Sequence, residues 1–270
     1  MKTMLRLCAG LMFVFFLGFF IAGGRDVLRA ETVSRITDWV QNNVHSSFLS
    51  KNPTPHIHEP LDGLSRMKRL LFLREAITER TSIKHIVSAN ELPETLLQAV
   101  VAVEDSRFYS HPGFDIEGIA RATLVNLQNG EIEEGASTIT QQLVKNLFLS
   151  QERSFARKAE ELALAVDIEL CYSKEEILVL YLNTIYYGSG YYGIYDAAHG
   201  YFGKEPKNLT LPEAAMLAGL PNAPSLYSPY EDFLLAKKRQ FIVLDAMVRT
   251  GVISESIAEN AKSEPIYLAH

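Results

Sequence analysis

Eighteen consecutive residues near the N-terminus, Leu7 to Gly24, carry no charge and include Leu11, Phe13, Val14, Phe15, Phe16, Leu17, Phe19, Phe20 and Ile21. At about 1.5 Å of rise per residue, such a stretch spans roughly 27 Å as a helix, close to the hydrocarbon thickness of a bilayer. A helix buried in a globular protein seldom dispenses with polar residues on every face for that length. Two readings of the stretch compete. Ala22, Gly23 and Gly24 are small enough to offer a signal-peptide cleavage site. The apolar core of a signal peptide is usually about 7–15 residues long, however, which favours an uncleaved anchor. With Lys2 and Arg6 held inside, the rest of a single-pass chain is expected outside the cytoplasmic membrane. Soluble cytoplasmic enzymes are thereby excluded.

Behind this stretch the composition is that of a folded protein. Of 270 residues, 47% are hydrophobic and 21% charged, which excludes a disordered or collagen-like chain. A formal net charge of -6 gives no general attraction to nucleic acid. Cys8 lies in the apolar stretch and Cys171 stands alone in the body, so neither a disulfide framework nor a cysteine-ligated zinc site is available. Residues 25–85 read as a stem of short helices, with Trp39, Val40, Val44 and Phe48 helically spaced before the breaker Asn52-Pro53-Thr54-Pro55. His56 and His58 follow two apart. Without a third ligand of obvious spacing they read as loop histidines.

Beyond residue 90 the periodicity is helical and no strand-length alternation competes with it, which predicts a mostly α-helical domain. Pro93 suits the first turn of a helix burying Leu96, Leu97, Val100, Val101 and Val103. Ser173 with Glu176, and Thr210 with Glu213, carry the spacing of capping boxes. Gly188, Gly190 and Gly193 interrupt a tyrosine-rich run, and Pro221 and Pro224 are expected to close a further helix.

Three clusters carry chemistry. Glu104 and Asp105 stand where the apolar helix ends, followed by Phe108, His111, Gly113 and Asp115. The partial negative charge of a helix C-terminus and the apolar neighbours both push a carboxyl's pKa upward. A carboxylate so tuned is a good general base; the alternative is that both acids simply leave the helix into solvent. The second cluster, Gly135 to Asn146, feeds Ser137, Thr138, Gln141, Gln142 and Lys145 into a helix start. Its hydroxyls, amides and first-turn N–H groups suit a sugar phosphate, and an N-cap with a polar exposed face is the simpler reading. In the third, Arg153 precedes Arg157, Lys158 and Glu161. Arg157 and Glu161 share a helical face, either as an ordinary surface ion pair or as part of a cationic wall for pyrophosphate.

Taken in order, Glu104-Asp105 with Phe108, His111, Gly113 and Asp115, then Gly135 to Gln142, Arg157-Lys158 with Glu161, Tyr181-Leu182-Asn183, and Leu217 to Pro221 resemble the five motifs of the peptidoglycan glycosyltransferases. That family comprises the monofunctional enzymes and the glycosyltransferase domains of class A penicillin-binding proteins. Ala136 stands where many members have glycine. Ser65-Arg66-Met67-Lys68 and Ser88-Ala89-Asn90 spell two pieces of a penicillin-binding transpeptidase signature. No Lys-Thr-Gly follows and both precede the glycosyltransferase motifs, so no transpeptidase domain is expected within the chain.

The resemblance implies residues 1–24 as cytoplasmic tail and transmembrane anchor, 25–85 as extracytoplasmic stem and 86–270 as glycosyltransferase domain. The fold it implies is a mostly helical, lysozyme-like domain with a smaller membrane-associated lobe. The reaction it implies is polymerisation of lipid II into glycan strands at the bacterial cytoplasmic membrane, with inversion and release of undecaprenyl pyrophosphate. Glu104 is then the general base and Glu161 the second acid. Asp105, Phe108, His111, Ser137, Thr138, Gln141, Gln142, Lys145, Arg153, Arg157, Lys158 and Asn183 are the implied substrate-binding set. Lipid II, the growing lipid-linked glycan and the membrane are the implied partners, with room for other cell-wall synthesis proteins and none for nucleic acid. Mg²⁺ or Mn²⁺ is optional, since Arg and Lys can neutralise the same pyrophosphate charge. A lysozyme-like hydrolase also places a glutamate beside a polysaccharide cleft. Cutting a neutral glycosidic link would leave the basic wall without a task. A catalytically silent scaffold is disfavoured by the presence of both Glu104 and Glu161.

Overall fold

A computed structural model describes residues 85–129, 137–149 and 155–269, with no side chains described for 123–129 and 155–156. The apolar stretch Leu7–Gly24, the stem before His85, residues 130–136 and Arg153 lie outside the described residues. Among the described residues the chain is mostly helical. A single antiparallel bridge between Tyr186 and Tyr192 is the nearest thing to a sheet. No helix among them is long and apolar enough to cross a membrane. The described residues fall into two compact units, 85–146 with 172–269, and 147–171.

In the larger unit, helix α1 (Glu94–Glu104) starts one residue later than its proline suggests. Pro93 is the extended N-cap residue, at φ -69° and ψ 138°. Its buried stripe is Leu96, Ala99, Val100 and Ala102, while Leu97, Val101 and Val103 are half-buried. Helix α2 (Ile116–Asn129) follows, and α3 (Ile139–Phe148) comes after it. The chain returns to this unit with α5 (Lys174–Thr184) and α6 (Ile194–Phe202). Then come α7 (Leu211–Gly219), the short α8 (Pro224–Tyr227), α9 (Phe233–Arg249) and α10 (Glu255–Ser263).

The centre of this unit is α7, which buries every residue from Pro212 to Gly219. A helix buried all round must be packed on several sides, and α7 packs against both α1 and α9, which also touch each other. Its small residues, Ala214, Ala215, Ala218 and Gly219, permit that close approach. From α9 the buried residues are Ala236, Gln240, Val243, Leu244, Ala246 and Met247.

Both capping boxes form. Ser173 Oγ accepts from the Glu176 amide at 3.2 Å and Glu176 accepts from the Ser173 amide at 2.8 Å. Glu213 accepts from the Thr210 amide at 2.9 Å and, buried, also binds Lys204 Nζ at 2.7 and 2.9 Å. Pro221 sits in a 3-10 turn after α7, and Pro224 opens α8. The glycines of the tyrosine run make a tight reversal in which Tyr187 N–H donates to the Tyr191 carbonyl and Tyr191 N–H to the Gly188 carbonyl, both at 2.9 Å. Gly193 adopts φ 81°, and a Cβ there would stand 2.6 Å from the Asn183 carbonyl. Only glycine fits that approach.

The smaller unit contains α4 (Phe155–Cys171). Glu161, Leu164, Ala165 and Ile168 are its buried stripe, at spacings of three, four and seven residues. Glu161 thus occupies a position that would otherwise be apolar.

Candidate functional site

Glu104 is the last residue of α1, and Asp105 leaves the helix as its C-cap. Neither acid escapes into water: their side chains are 6% and 4% exposed. Glu104 Oε2 accepts from Gln142 Nε2 at 2.8 Å, and Gln142 Oε1 accepts from the Tyr181 hydroxyl at 3.0 Å. Burial holds the proton on Tyr181 far above the ordinary phenol range, so the hydroxyl is a permanent donor. It fixes the amide of Gln142 with its NH₂ towards Glu104. The other carboxylate oxygen, Oε1, accepts no hydrogen bond among the described residues. Arg239 Nη2 stands 3.6 Å from it, beyond good hydrogen-bonding distance. Burial pushes the Glu104 carboxyl above its ordinary range. The Gln142 bond and the charges of Arg239 and Lys145 counter that push, and Asp105 adds to it. A buried carboxyl with one oxygen that lacks a hydrogen-bond donor and a raised pKa is suited to accept a proton.

Around this carboxyl the residues of the first two motifs bind one another. Asp105 receives His111 Nε2 at 3.0 Å on both oxygens, and its Oδ2 also accepts from the Ile139 amide at 3.1 Å. Thr138 Oγ1 donates to the Gly113 carbonyl at 2.7 Å and accepts from the Gln141 amide at 3.1 Å. Gln141 Oε1 accepts in return from the Thr138 amide at 3.0 Å, which makes a capping box of Thr138 and Gln141. The expected anion site at the start of α3 is therefore occupied from within, because the amides of Ile139 and Gln141 are engaged by Asp105 and Thr138. Gln141 and Lys145 are four residues apart, yet Gln141 is buried against the cap and Lys145 is exposed.

Phe108 is fully buried. Lys174 Nζ lies 4.4 Å from its ring centroid and donates to the His111 carbonyl at 2.7 Å. Asp115 accepts from Arg107 Nε at 3.0 Å and from the Gly118 amide at 2.9 Å, capping α2. Asn183 is buried and, among the described residues, its side chain bonds to backbone: Val87 N–H at 2.8 Å, Val87 carbonyl at 2.9 Å and Val179 carbonyl at 2.8 Å. Of the expected binding residues in this unit, Ser137 and Lys145 are exposed and Gln142 is half-buried.

In the smaller unit Arg157 Nη1 donates to Glu161 Oε2 at 2.9 Å, and Lys158 Nζ contacts Glu161 Oε1. This is not an ordinary surface pair, because the Glu161 side chain is only 3% exposed. Breaking a buried pair from one side leaves a charge uncompensated. Lys158 is exposed and Arg157 half-buried. Among the described residues no three His, Cys, Asp or Glu side chains gather as a metal site would require.

Arg239, beside Glu104, carries no motif signal. Arg239 belongs to the run Lys237-Lys238-Arg239-Gln240, which reads as a solvated basic face. Its position three residues after Ala236 and four before Val243, both buried, is the available clue. Gly219 looks like part of an apolar motif, yet its carbonyl accepts from Arg239 Nε at 3.1 Å.

The transglycosylase family model matches residues 73–248, a span containing all five of the glycosyltransferase motifs above. The chain belongs to this family, the peptidoglycan glycosyltransferases that its motifs resemble. It is 37% identical to penicillin-binding protein 4 of Bacillus subtilis over 92% of this chain and 38% of that protein. It is 48% identical to penicillin-binding protein 1A of Vibrio cholerae over 65% of this chain and 21% of that protein. A crystal structure of penicillin-binding protein 1A from Haemophilus influenzae aligns at a TM-score of 0.42 with 26% identity, covering 68% of this chain and 18% of that one. The chain thus spans about a fifth to two fifths of the length of these curated relatives.

Proposed function

We propose that the protein is an inverting glycosyltransferase that polymerises lipid II in bacterial cell-wall synthesis. The acceptor's GlcNAc 4-hydroxyl oxygen attacks the anomeric carbon of the donor's MurNAc as the bond to pyrophosphate breaks. The hydroxyl proton passes to Glu104, and the bonding electrons leave with undecaprenyl pyrophosphate. The observation that carries this reading is the buried Glu104 carboxyl, with Oε2 held by Gln142 and Oε1 buried without a hydrogen-bond donor among the described residues. Arg157 and Lys158 meet the phosphate charge, with Glu161 as the second acid that orients them. Ser137, Gln142, Lys145 and Arg153 contact substrate. Asp105, Phe108, His111, Thr138, Gln141 and Asn183 act by holding the motif loops in register, consistent with their burial and their bonds to one another. The fold is lysozyme-like with a smaller membrane-associated lobe, and Leu7–Gly24 anchors the chain so that it works on a polyprenyl substrate that stays in the bilayer.

Incubating the full chain in detergent with lipid II tests the reading. Glycan polymer and released undecaprenyl pyrophosphate are expected, with no need for preformed glycan. Shortening of preformed glycan would instead mean a hydrolase, and no change in either substrate a scaffold. In cells, residues after Arg25 should be open to protease from outside the cytoplasmic membrane. A mature N-terminus near Arg25 would overturn the anchor.

A further inference from the structure

Arg239 makes two contacts, to the Gly219 carbonyl and the Tyr227 ring, and its guanidinium stands beyond good hydrogen-bonding distance of Glu104. Its Nε donates to the Gly219 carbonyl at 3.1 Å, one of the last carbonyls of α7, which lack partners within their own helix. Its guanidinium carbon lies 5.6 Å from the centroid of the Tyr227 ring, within cation–π range. A Cβ on Gly219 would stand 2.8 Å from Arg239 Cγ, so the absence of a side chain there lets the arginine pass. Its Nη2 then stops 3.6 Å from Glu104 Oε1. Were the guanidinium to close into a bidentate pair, it would occupy both carboxylate oxygens. Held back, it supplies positive charge while Oε1, itself buried, accepts no hydrogen bond among the described residues.

We infer that Arg239 is a positioning residue for the general base: tethered by Gly219 and Tyr227, it keeps Glu104 ionised without occupying Oε1, the oxygen that takes the acceptor's proton. The inference rests on Glu104 being the base. The ionisable groups facing Glu104 are Arg239 from α9, Lys145 from α3, Asp105 beside it and Tyr181 from α5. Arg239 and Lys145 are the two cations among them. Lys145 is exposed, where solvent screens its charge, and Arg239 is the cation held close, with its side chain 12% exposed.

The test is the pH dependence of kcat/KM for lipid II polymerisation by the full chain, with wild type, Glu104→Gln, Arg239→Gln and Arg239→Lys side by side. Only ionised Glu104 accepts a proton, so activity falls on the acid side of its pKa. Losing the nearby cation raises that pKa and moves the acid limb to higher pH. For Arg239→Gln we expect a shift of about one pH unit or more, a tenfold loss below the limb, with recovery above it. Arg239→Lys should keep the limb within a few tenths of wild type. If circular dichroism shows that Arg239→Gln does not fold, Gly219→Ala, which crowds Arg239 Cγ, replaces it with the same shift expected. An unmoved limb in a folded variant, or a loss uniform across pH and equal in the glutamine and lysine variants, overturns the role of Arg239. An active Glu104→Gln overturns the base assignment instead.

Discussion

Glu104 and Glu161 are the same residue type, buried to nearly the same degree, with side chains 6% and 3% exposed, yet their surroundings differ. Glu104 has a neutral amide on one oxygen and a cation held off the other. Glu161 has a cation in contact on each oxygen, both contributed by its own helix three and four residues away. Burial alone therefore does not decide what a carboxylate can do. An oxygen with no donor can accept a proton from a substrate, whereas oxygens already held by two cations serve better as a fixed counter-charge that orients those cations.

The largest expected effect breaks the comparison at Glu104. Glu104→Gln keeps the shape and removes the basicity, so turnover should fall about 10²–10⁴-fold while donor binding is largely retained. Wild-type activity should rise with pH through the raised pKa of Glu104, because burial favours the protonated, inactive form until that pKa is passed. Glu161→Gln should also be severe, but it disturbs Arg157 and Lys158 and so should change KM as well as kcat. A steady-state pH profile of both variants checks this. If Glu104→Gln polymerises lipid II at a near wild-type rate, the two glutamates do not divide the work as described.

A smaller effect is expected from the cationic side. Arg157→Ala removes a charge-assisted contact worth roughly 1.5–3 kcal/mol if it reaches phosphate, so the rate should drop at least tenfold. The acid limb set by Glu104 should stay where it is, because the proposed task of Arg157 is to meet phosphate charge and not to tune that carboxyl. Unchanged turnover in a folded Arg157→Ala would reduce Arg157 to a structural partner of Glu161.

How far these differences could be read from sequence varied with the range of the interaction responsible. The capping boxes at Ser173 and Thr210, the end of α1 at Glu104 and the pairing of Arg157 with Glu161 are local. Each is set by residues within four positions, and each forms as expected. The burial of Glu161 depends on α4 presenting Leu164, Ala165 and Ile168 on the same stripe, a pattern available in the sequence but overshadowed by its surface ion-pair spacing. The occupation of the α3 N-terminus by Asp105, 34 residues earlier in the chain, is a tertiary event that no local pattern reveals. Arg239 and Gly219 are harder still, because their meaning lies in a packing of α1, α7 and α9 that only the folded chain creates. The motif spacing marked residues out by their resemblance to the family, but did not show which of them touch one another. Asn183, whose side chain bonds to backbone, looks the same on the page as Lys145, which is exposed.

The smallest expected effect sharpens the comparison by testing the neutral side of Glu104. Tyr181→Phe keeps the ring that fills the core and removes only the hydroxyl that donates to Gln142 Oε1. Without that donor the Gln142 amide can turn over and present its oxygen, instead of its NH₂, to Glu104 Oε2. The Gln142 bond works against the raised pKa of Glu104, so weakening it should move the acid limb to higher pH, in the same direction as loss of Arg239. The shift should be smaller, because the bond removed is a neutral one, which contributes about 0.5–1.5 kcal/mol, and it acts on Glu104 only through Gln142. A rate reduction of roughly three- to tenfold below the limb is expected, with a melting temperature close to wild type. Identical rates and an identical limb in Tyr181→Phe would mean that Gln142 is oriented without Tyr181, and that the tuning of Glu104 rests on burial and the tethered arginine.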